Sequence, residues 1–287
     1  MMNILVTGSN GQLGSEIREL AKEYSQYHFT FTDIDELDLT NYKNLEDFLD
    51  QNSFTFCIHC AAYTAVDKAE DEREKAYEIN GQTAGHLANL CRKHDIFLIF
   101  LSTDYVFNGK NYKPYIETDK TAPRTVYGKS KLDGELAVAS SGARYVIIRT
   151  SWLYSAYGHN FVKTMLRMGS ERDIVHVVSD QTGTPTYAAD LAGMILEIIP
   201  LLNKEHAGEI YHYSNEGLAS WFDFAKAIMS LSKTVCKVLP IETRDFPSRA
   251  KRPYYSVLNK RKIREAFDIE IPHWRDSLEK AIQRMTT

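Results

Sequence analysis

Tyr127 and Lys131 stand four positions apart in the segment Tyr127-Gly128-Lys129-Ser130-Lys131. If this segment is helical, both side chains lie on one face and can serve one site. An ammonium group beside a phenol favours the phenolate and lowers the phenol pKa from about 10, which suits a proton donor working near neutral pH. Because the chain has 17 tyrosines, one such spacing is expected by chance, so its meaning depends on where the segment lies.

An apolar segment upstream, Phe97 to Ser102, is typical of a buried strand, and Ser102 and Thr103 stand at its carboxyl end. The carboxyl ends of parallel strands are where open α/β sheets bind their ligands. The hydroxyl of Thr103 can then hydrogen-bond the same substrate oxygen as Tyr127. The alternative interpretation is that both hydroxyls only cap the end of the strand.

The first strand, Asn3 to Thr7, runs directly into the turn Gly8-Ser9-Asn10-Gly11-Gln12-Leu13-Gly14, and an amphipathic helix follows. Glycines allow the backbone to approach a pyrophosphate closely, and the amino end of a helix favours negative charge. The pattern predicts a dinucleotide site, although an ordinary tight turn would carry similar residues. The expected cofactor-binding residues here are Gly8, Asn10, Gly11, Gln12, Leu13 and Gly14.

Asp33 follows the second predicted strand, where an acidic side chain can accept hydrogen bonds from the adenosine ribose. Its neighbours in sequence are Ile34, Asp35 and Glu36, and no Arg or Lys stands there to receive a 2′-phosphate. We therefore expect NADH to be preferred over NADPH. The alternative role for Asp33 is to cap its loop.

The elements that must position these residues alternate between apolar strands and helix-period segments up to about Thr150, with helices expected at Leu45 to Gln51 and near Glu70 to Tyr77. This βαβ rhythm predicts an α/β fold, a Rossmann-type doubly wound parallel sheet with helices on both faces. Residues 1–150 are expected to form the dinucleotide-binding domain. A smaller α+β substrate domain is expected over residues 151–287, with 185–215 returning to the first domain.

Composition narrows the class of protein. A net charge of -4 and a pI near 6.2 give no footprint for nucleic acid, and the basic segment Arg249 to Arg264 is expected to be a solvated face. No apolar run is long enough for a membrane span and the start shows no signal-peptide pattern, so we expect a cytoplasmic protein. Cys57 and Cys60, three apart in a predicted strand, point to opposite faces and should bind no metal.

Several longer phrases are specific enough to indicate a family. These phrases are GQLG (Gly11 to Gly14), AAYTAVDKAE (Ala61 to Glu70), STDYVF (Ser102 to Phe107), YGKSK (Tyr127 to Lys131), RTSWLY (Arg149 to Tyr154) and DQTGTPT (Asp180 to Thr186). On them, the sequence resembles the extended short-chain dehydrogenases/reductases, and within them the dTDP-4-dehydrorhamnose reductases, over essentially the whole chain.

The resemblance implies reduction of the C4 ketone of dTDP-4-dehydro-β-L-rhamnose with NADH, NADPH also being possible, by a catalytic set of Thr103, Tyr127 and Lys131. It adds cofactor contacts at Asp38, Leu39, Ala61, Ala62, Tyr63 and Thr64, besides Tyr127 and Lys131. It implies that the dTDP-sugar lies against Val66, Thr103, Asp104, Tyr105, Tyr127 and Trp152. Val66 and Trp152 could instead be core residues.

Alternatives stay open at this point. Another sugar-nucleotide reductase or an epimerase of the same family, or a non-catalytic NAD-binding regulatory subunit, would share much of the pattern. A 4,6-dehydratase is disfavoured because it needs Thr-Asp-Glu where this chain has Thr103-Asp104-Tyr105. Some relatives bind Mg²⁺ at a dimer contact, but only Glu16 fits such a site here, so no metal is predicted. The chain is expected to be a monomer or a homodimer.

Overall fold

The computed structural model describes residues 2–286 as an α/β fold. Its strands are β1 (Met2–Thr7), β2 (Tyr27–Thr32), β3 (Phe56–His59), β4 (Phe97–Thr103), β5 (Tyr145–Thr150), β6 (Leu153–Tyr154), β7 (Ile174–Val178), β8 (Thr182–Gly183), β9 (Thr186–Tyr187), β10 (Glu209–His212), β11 (Ala219–Ser220) and β12 (Lys237–Ile241). Its helices are α1 (Gln12–Leu20), α2 (Tyr42–Gln51), α3 (Val66–Ala69), α4 (Arg73–Tyr77), α5 (Thr83–Lys93), α6 (Val126–Ser140), α7 (Phe161–Glu171), α8 (Ala188–Ile198), α9 (Trp221–Leu231), α10 (Arg261–Phe267) and α11 (Trp274–Thr286).

The main sheet has six strands in the order β2-β1-β3-β4-β5-β10, and every neighbouring pair is parallel. The chain starts at β1, one strand from the edge, adds β2 on one side and the other four strands on the other, and because all six are parallel their carboxyl ends meet at one edge. The predicted doubly wound parallel sheet is confirmed. The last strand, β10, comes from late in the chain and pairs with β5.

Helices cover both faces of this sheet because its strands alternate their side chains between two cores. In β1, Ile4 and Val6 pack with residues of α1, α8 and α10 on one face. Leu5 points to the other face and packs with residues of α2, α5 and α6. All three side chains are fully buried, which explains why the strand is an unbroken apolar run.

A second apolar core lies outside the sheet, around α7, α9 and α11 and the parallel pair of β7 and β12. Short ladders, β6 with β9 and β8 with β11, lie beside it. Within residues 2–286, no helix is both long and apolar enough to cross a membrane.

Several helix bounds differ from the sequence expectation. Helix α2 begins at Tyr42 instead of Leu45, because the side chain of Asn41 caps it by accepting from Asn44 N–H. The helix expected near Glu70 begins at Arg73 and continues through a π-helical turn, Glu78–Gln82, into α5. Single π-helical turns are frequent at functional sites, and this one contains the buried side chain of Asn80.

Candidate active site

The predicted site residues come from segments that follow the carboxyl ends of β1, β2, β3, β4 and β5, and from helix α6. The glycine turn follows β1, Asp33 follows β2, the segment 61–64 follows β3, Thr103 ends β4, and the segment with Trp152 follows β5. Because these strands are parallel neighbours, the fold gathers segments that are far apart in sequence at one edge of the sheet.

Two glycines of the first turn are required by its geometry. Gly8 has φ +66°, and a Cβ there would lie 2.5 Å from the backbone nitrogen of Ala61. A Cβ on Gly14 would lie 2.5 Å from the carbonyl oxygen of Gly8. The glycines therefore bring the turn, the start of α1 and the segment after β3 into close backbone contact.

The amino end of α1 is open to a ligand. Gly11 is its N-cap, no side chain caps the helix, and no acidic residue stands in its first turn. By contrast, α2, α6, α7 and α9 are each capped by a side chain, from Asn41, Thr125, Asn160 and Ser220. The first N–H groups of α1 and its positive dipole end therefore fit the pyrophosphate of a dinucleotide.

Beside this turn, Asp33 is held by backbone groups. Its Oδ2 accepts from Asn10 N–H at 2.8 Å and its Oδ1 from Ile34 N–H at 2.8 Å. The Glu36 carboxylate folds back to accept from Asp33 N–H at 2.9 Å. Nearby, Asp38 accepts from both the N–H and the hydroxyl of Thr40, and Leu39 is buried.

A cation that the sequence did not indicate lies beside the same turn. The Arg18 guanidinium donates to Ser9 Oγ at 2.6 Å and to Asn10 Oδ1 at 3.3 Å, and it lies 5.0 Å from the centre of the Phe31 ring. Within residues 2–286, no carboxylate lies within ion-pair distance of it. No basic residue directly follows Asp33 in sequence, but α1 carries Arg18 back over the turn to Asn10, whose N–H is held by Asp33.

Asn80 links the segment after β3 to helix α6. Its Oδ1 accepts from Tyr63 N–H at 2.8 Å, and its Nδ2 donates to Tyr63 O at 3.0 Å and to Ser130 Oγ at 2.9 Å. Asn80 is 1% exposed. Sequence reasoning missed this residue, since an asparagine inside a helix-period segment gives no signal of its own. Ala61 and Ala62 are half-buried beside Tyr63, Thr64 is exposed, and Val66 begins α3.

Thr103 and Asp104 are buried at the end of β4, and the half-buried Tyr127 lies beside them. The Thr103 hydroxyl donates to Asp104 Oδ1 at 3.0 Å. Desolvation raises the pKa of Asp104 to about 7, opposed by the hydroxyls of Ser256 and Thr103. Desolvation also raises the pKa of the Tyr127 phenol well above its usual value, and the Thr103 hydroxyl opposes that rise. The site therefore favours protonated forms of both acids.

The sequence predicts that the Lys131 ammonium group lowers the pKa of the Tyr127 phenol, and the structure differs. Lys131 is buried, its Nζ donates to Leu101 O at 2.7 Å, and it lies 4.4 Å from the centre of the Phe100 ring. Desolvation lowers the pKa of Lys131 to about 8, with Glu135 opposing the shift. The expectation that Lys131 lowers the phenol pKa is wrong for this arrangement, because desolvation raises the pKa of Tyr127 and the group that opposes the rise is the Thr103 hydroxyl.

The two hydroxyls at the end of β4 serve different purposes. Ser102 Oγ donates to Glu135 Oε1 at 2.5 Å, whereas Thr103 is beside the phenol of Tyr127. Glu135 also binds Arg149 through two hydrogen bonds of 2.9 and 2.6 Å, and this ion pair is buried. Ser102 therefore helps to satisfy a buried carboxylate, which leaves Thr103 to the site.

The basic segment that was expected to be a solvated face partly turns inward. Arg252 is half-buried, donates to Tyr105 Oη at 3.3 Å and to Asp67 Oδ2 at 2.5 Å. Asp67 also accepts from the Ser248 hydroxyl and from Ala250 N–H. The expectation is wrong at Arg252, since α3 supplies an acidic partner that the linear sequence places far away. Tyr105 itself meets the Tyr127 ring edge-on at 5.5 Å.

Two further residues were left with alternative roles by the sequence. Trp152 is half-buried and stacks on Trp221. Glu16 is buried and accepts from the Ser155 hydroxyl at 2.6 Å and from Arg284 at 2.5 Å. Within residues 2–286, no group of three or more His, Cys, Asp or Glu side chains is placed to hold a metal ion.

Comparison with known proteins places the chain among sugar-nucleotide enzymes. A family model described as the RmlD substrate binding domain matches residues 2–287. A protein of Aggregatibacter actinomycetemcomitans named dTDP-4-dehydrorhamnose reductase is 40% identical over 289 residues, covering 97% of each chain.

Solved structures agree. A dTDP-4-dehydrorhamnose reductase from Clostridium acetobutylicum superimposes with a TM-score of 0.94 at 40% identity, covering 100% of both chains. One from Bacillus anthracis, solved in complex with NADP, also has a TM-score of 0.94, at 41% identity, covering 99% of this chain and 100% of that one.

Proposed function

The chain belongs to the RmlD substrate-binding domain family, and from this membership we propose that it reduces the C4 ketone of dTDP-4-dehydro-β-L-rhamnose to give dTDP-L-rhamnose. The observation that carries the proposal is the Thr103 hydroxyl beside the Tyr127 phenol, with Lys131 one helical turn away, at the sheet edge where the open end of α1 lies. Relatives at 40 and 41% identity bear the name of this reductase.

A nicotinamide cofactor, when bound, supplies the hydride. We propose that its pyrophosphate lies on the glycine turn and the amino end of α1, and its adenosine ribose against Asp33. Support comes from the uncapped helix and from the Asp33 carboxylate, which is fixed by Asn10 N–H. Asp38 and Leu39 would flank the adenine, and the segment 61–64, tied down by Asn80, would face the nicotinamide side. Asp33 favours NADH, while Arg18 keeps NADPH acceptable.

Tyr127 would deliver the proton. Because desolvation raises its pKa, the phenol stays protonated at neutral pH and is ready to donate when negative charge develops on the C4 oxygen. Thr103 would donate a second hydrogen bond to that oxygen once its hydroxyl proton turns away from Asp104 Oδ1, so the two hydroxyls act as a donor pair. The Lys131 ammonium would bind the nicotinamide ribose and offset negative charge left on the phenol.

The sugar nucleotide would lie across the mouth of this site, against Val66, Asp104, Tyr105 and Trp152. Arg252, held beside Tyr105 and paired with Asp67, offers this mouth guanidinium donors that suit a diphosphate. We propose that residues 1–150 and 185–215 bind the cofactor and that the remainder binds mainly the sugar nucleotide. This division is supported by β10, which pairs with β5 in the main sheet, and by the separate core around α7, α9 and α11.

A dehydratase activity is disfavoured by the chemistry of Tyr105. That reaction needs a base to remove the C5 proton, and Tyr105 stands where related dehydratases carry glutamate. Desolvation raises the pKa of Tyr105 to about 12, so its phenolate is scarce at neutral pH. A phenol in that position cannot replace a carboxylate base.

The test is to incubate the protein with NADH and a panel of 4-keto sugar nucleotides and to follow the loss of reduced-nicotinamide absorbance. Tyr127→Phe is the matched control, since it removes one hydroxyl and keeps the ring. Stoichiometric oxidation with the dTDP-4-dehydro-β-L-rhamnose substrate supports the proposal. Turnover of a sugar nucleotide without added NADH would instead indicate an epimerase. Cofactor binding with no turnover on any substrate would indicate a regulatory subunit.

A further inference from the structure

Trp152 has a backbone conformation that is rare for an aromatic residue. Its φ is +47°, in the left-handed region, and the other non-glycine residues with positive φ among 2–286 are Asp95, Lys233 and Asp268. Bulky side chains are genuine outliers there, and such strain persists only where surrounding contacts impose it. One such contact is a hydrogen bond of 3.1 Å from Thr186 N–H to the carbonyl oxygen of Trp152.

A second contact is a close ring stack. The indoles of Trp152 and Trp221 lie with centroids 3.6 Å apart and planes 7° from parallel. Trp221 is braced from behind by Phe161, whose ring centroid is 4.6 Å away at an angle of 55°. The orientation of the Trp152 indole is therefore tied to a residue that lies far from it in sequence, at the first position of α9.

A third contact, between Gly183 and the indole of Trp152, explains why position 183 is a glycine. A Cβ built on Gly183 would lie 2.6 Å from Cε2 and 2.7 Å from Nε1 of Trp152. The φ of Gly183 is not in the left-handed region, so glycine is required here for space alone. Any larger residue would push the indole out of its slot.

The short ladder between β8 and β11 positions both Gly183 and Trp221 against Trp152. Strand β8 pairs with β11 so that Gly183 is opposite Ala219 and Thr182 is opposite Ser220. Ser220 then caps α9 through a capping box with Asp223, which fixes Trp221 at the first turn. The slot at Gly183 and the supporting ring of Trp221 are thus parts of one rigid corner.

We infer that Trp221 is a positioning residue for substrate recognition, which together with Gly183 holds Trp152 as a preset flat surface for the deoxysugar ring. The inference rests on the proposed function and deepens it. Trp152 stays half-buried, so part of its indole remains free to contact a ligand while Trp221 covers one face. A preset surface loses little entropy on binding, which is the advantage that preorganisation gives.

A purely structural role makes a different prediction. If Trp221 only fills the second core, its loss should lower the melting temperature and leave the KM for the sugar nucleotide unchanged. Trp274 provides the matched control because it lies in the same core, 6% exposed, and packs edge-on against Phe224 at 5.9 Å. Trp274→Phe should therefore change stability without changing KM.

The kinetic arm compares Trp221→Ala, Trp221→Phe, Gly183→Ala and Trp274→Phe. Trp221→Ala and Gly183→Ala should raise the KM for the sugar nucleotide about 2- to 12-fold, the range expected for a stacked aromatic pair. The KM for NADH and the value of kcat should stay within about twofold. Trp221→Phe, which keeps a ring in the stack, should restore most of the affinity. An active Trp221→Ala enzyme with an unchanged KM would overturn the inference.

A second experiment, fluorescence quenching, does not depend on enzyme activity. The chain has three tryptophans, so Trp152 is the sole one in Trp221→Phe/Trp274→Phe and in Trp221→Ala/Trp274→Phe. Acrylamide should quench the fluorescence of Trp152 at least twofold more strongly in Trp221→Ala/Trp274→Phe than in Trp221→Phe/Trp274→Phe. Equal quenching in the two variants would overturn the inference. If Trp221→Ala fails to fold, Gly183→Ala in the phenylalanine background gives the same comparison. Failure of the wild type to reduce any sugar nucleotide would refute the proposed function, while quenching would still test the positioning.

Discussion

The ammonium group of Lys131 donates a 2.7 Å hydrogen bond to the carbonyl oxygen of Leu101. This bond ties the helix that carries Tyr127 to the strand that ends in Thr103, so the two proposed catalytic hydroxyls share one rigid frame. Desolvation raises the pKa of the Tyr127 phenol and so keeps the phenol protonated. The proposed proton donor is therefore set by the packing of α6 against β4.

We expect Tyr127→Phe and Lys131→Ala each to lower kcat by about 10²- to 10⁴-fold, the usual contribution of a positioned general acid. Tyr127→Phe should keep its affinity for NADH, because the substitution removes only the hydroxyl. Steady-state kinetics with a parallel NADH fluorescence titration checks both points. Wild-type turnover in the phenylalanine variant would remove Tyr127 from the mechanism.

The rate should fall as pH rises through about 8. Desolvation lowers the pKa of Lys131 to about 8, so its ammonium form is lost above that value. The unfolded chain keeps the proton up to about 10.4, so between these values the unfolded state binds more protons and this group's contribution to stability rises with pH. A pH profile of kcat tests the expected fall in rate above pH 8. In Lys131→Arg any residual activity should lack the alkaline decline, because arginine stays charged.

Asp104→Asn should raise the melting temperature by several degrees more at pH 8 than at pH 5. The pKa of Asp104 is raised from 3.8 to about 7, so its contribution to stability is fully present below pH 3.8 and is lost as pH rises through about 7. Asparagine is neutral throughout and has the same shape. Thermal melting at the two pH values measures the difference, and an equal shift at both would mean that Asp104 is ionised in the fold.

Arg18→Gln should lower kcat/KM for NADPH by roughly 10- to 100-fold, the range for a lost charged hydrogen bond, and leave NADH use within about twofold. The guanidinium lies over Ser9 and Asn10, and Asn10 N–H holds Asp33. Binding of 2′,5′-ADP compared with 5′-AMP gives a readout independent of turnover. Asp33→Asn is the complementary control and should shift the preference toward NADPH. Equal losses for both cofactors in Arg18→Gln would show that the arginine only shapes the turn.

The sequence by itself determined the parallel sheet, the glycine turn and the segment that carries Tyr127 and Lys131. These features are local: a period of two or of 3.6 residues, a glycine at the end of a strand, and a spacing of one helical turn are set by the backbone within a few residues. The sharp turn that needs Gly8, with φ +66°, follows directly from the residue type.

Tertiary structure alone decided which distant groups act on these residues. Arg18 reaches Ser9 and Asn10 because α1 folds back over its own turn, and Arg252 meets Asp67 although 185 positions separate them. The stack of Trp152 on Trp221 depends on a ladder between β8 and β11. The pKa of Tyr127 rises because desolvation depends on everything packed around a group, whereas sequence spacing showed only its neighbour Lys131.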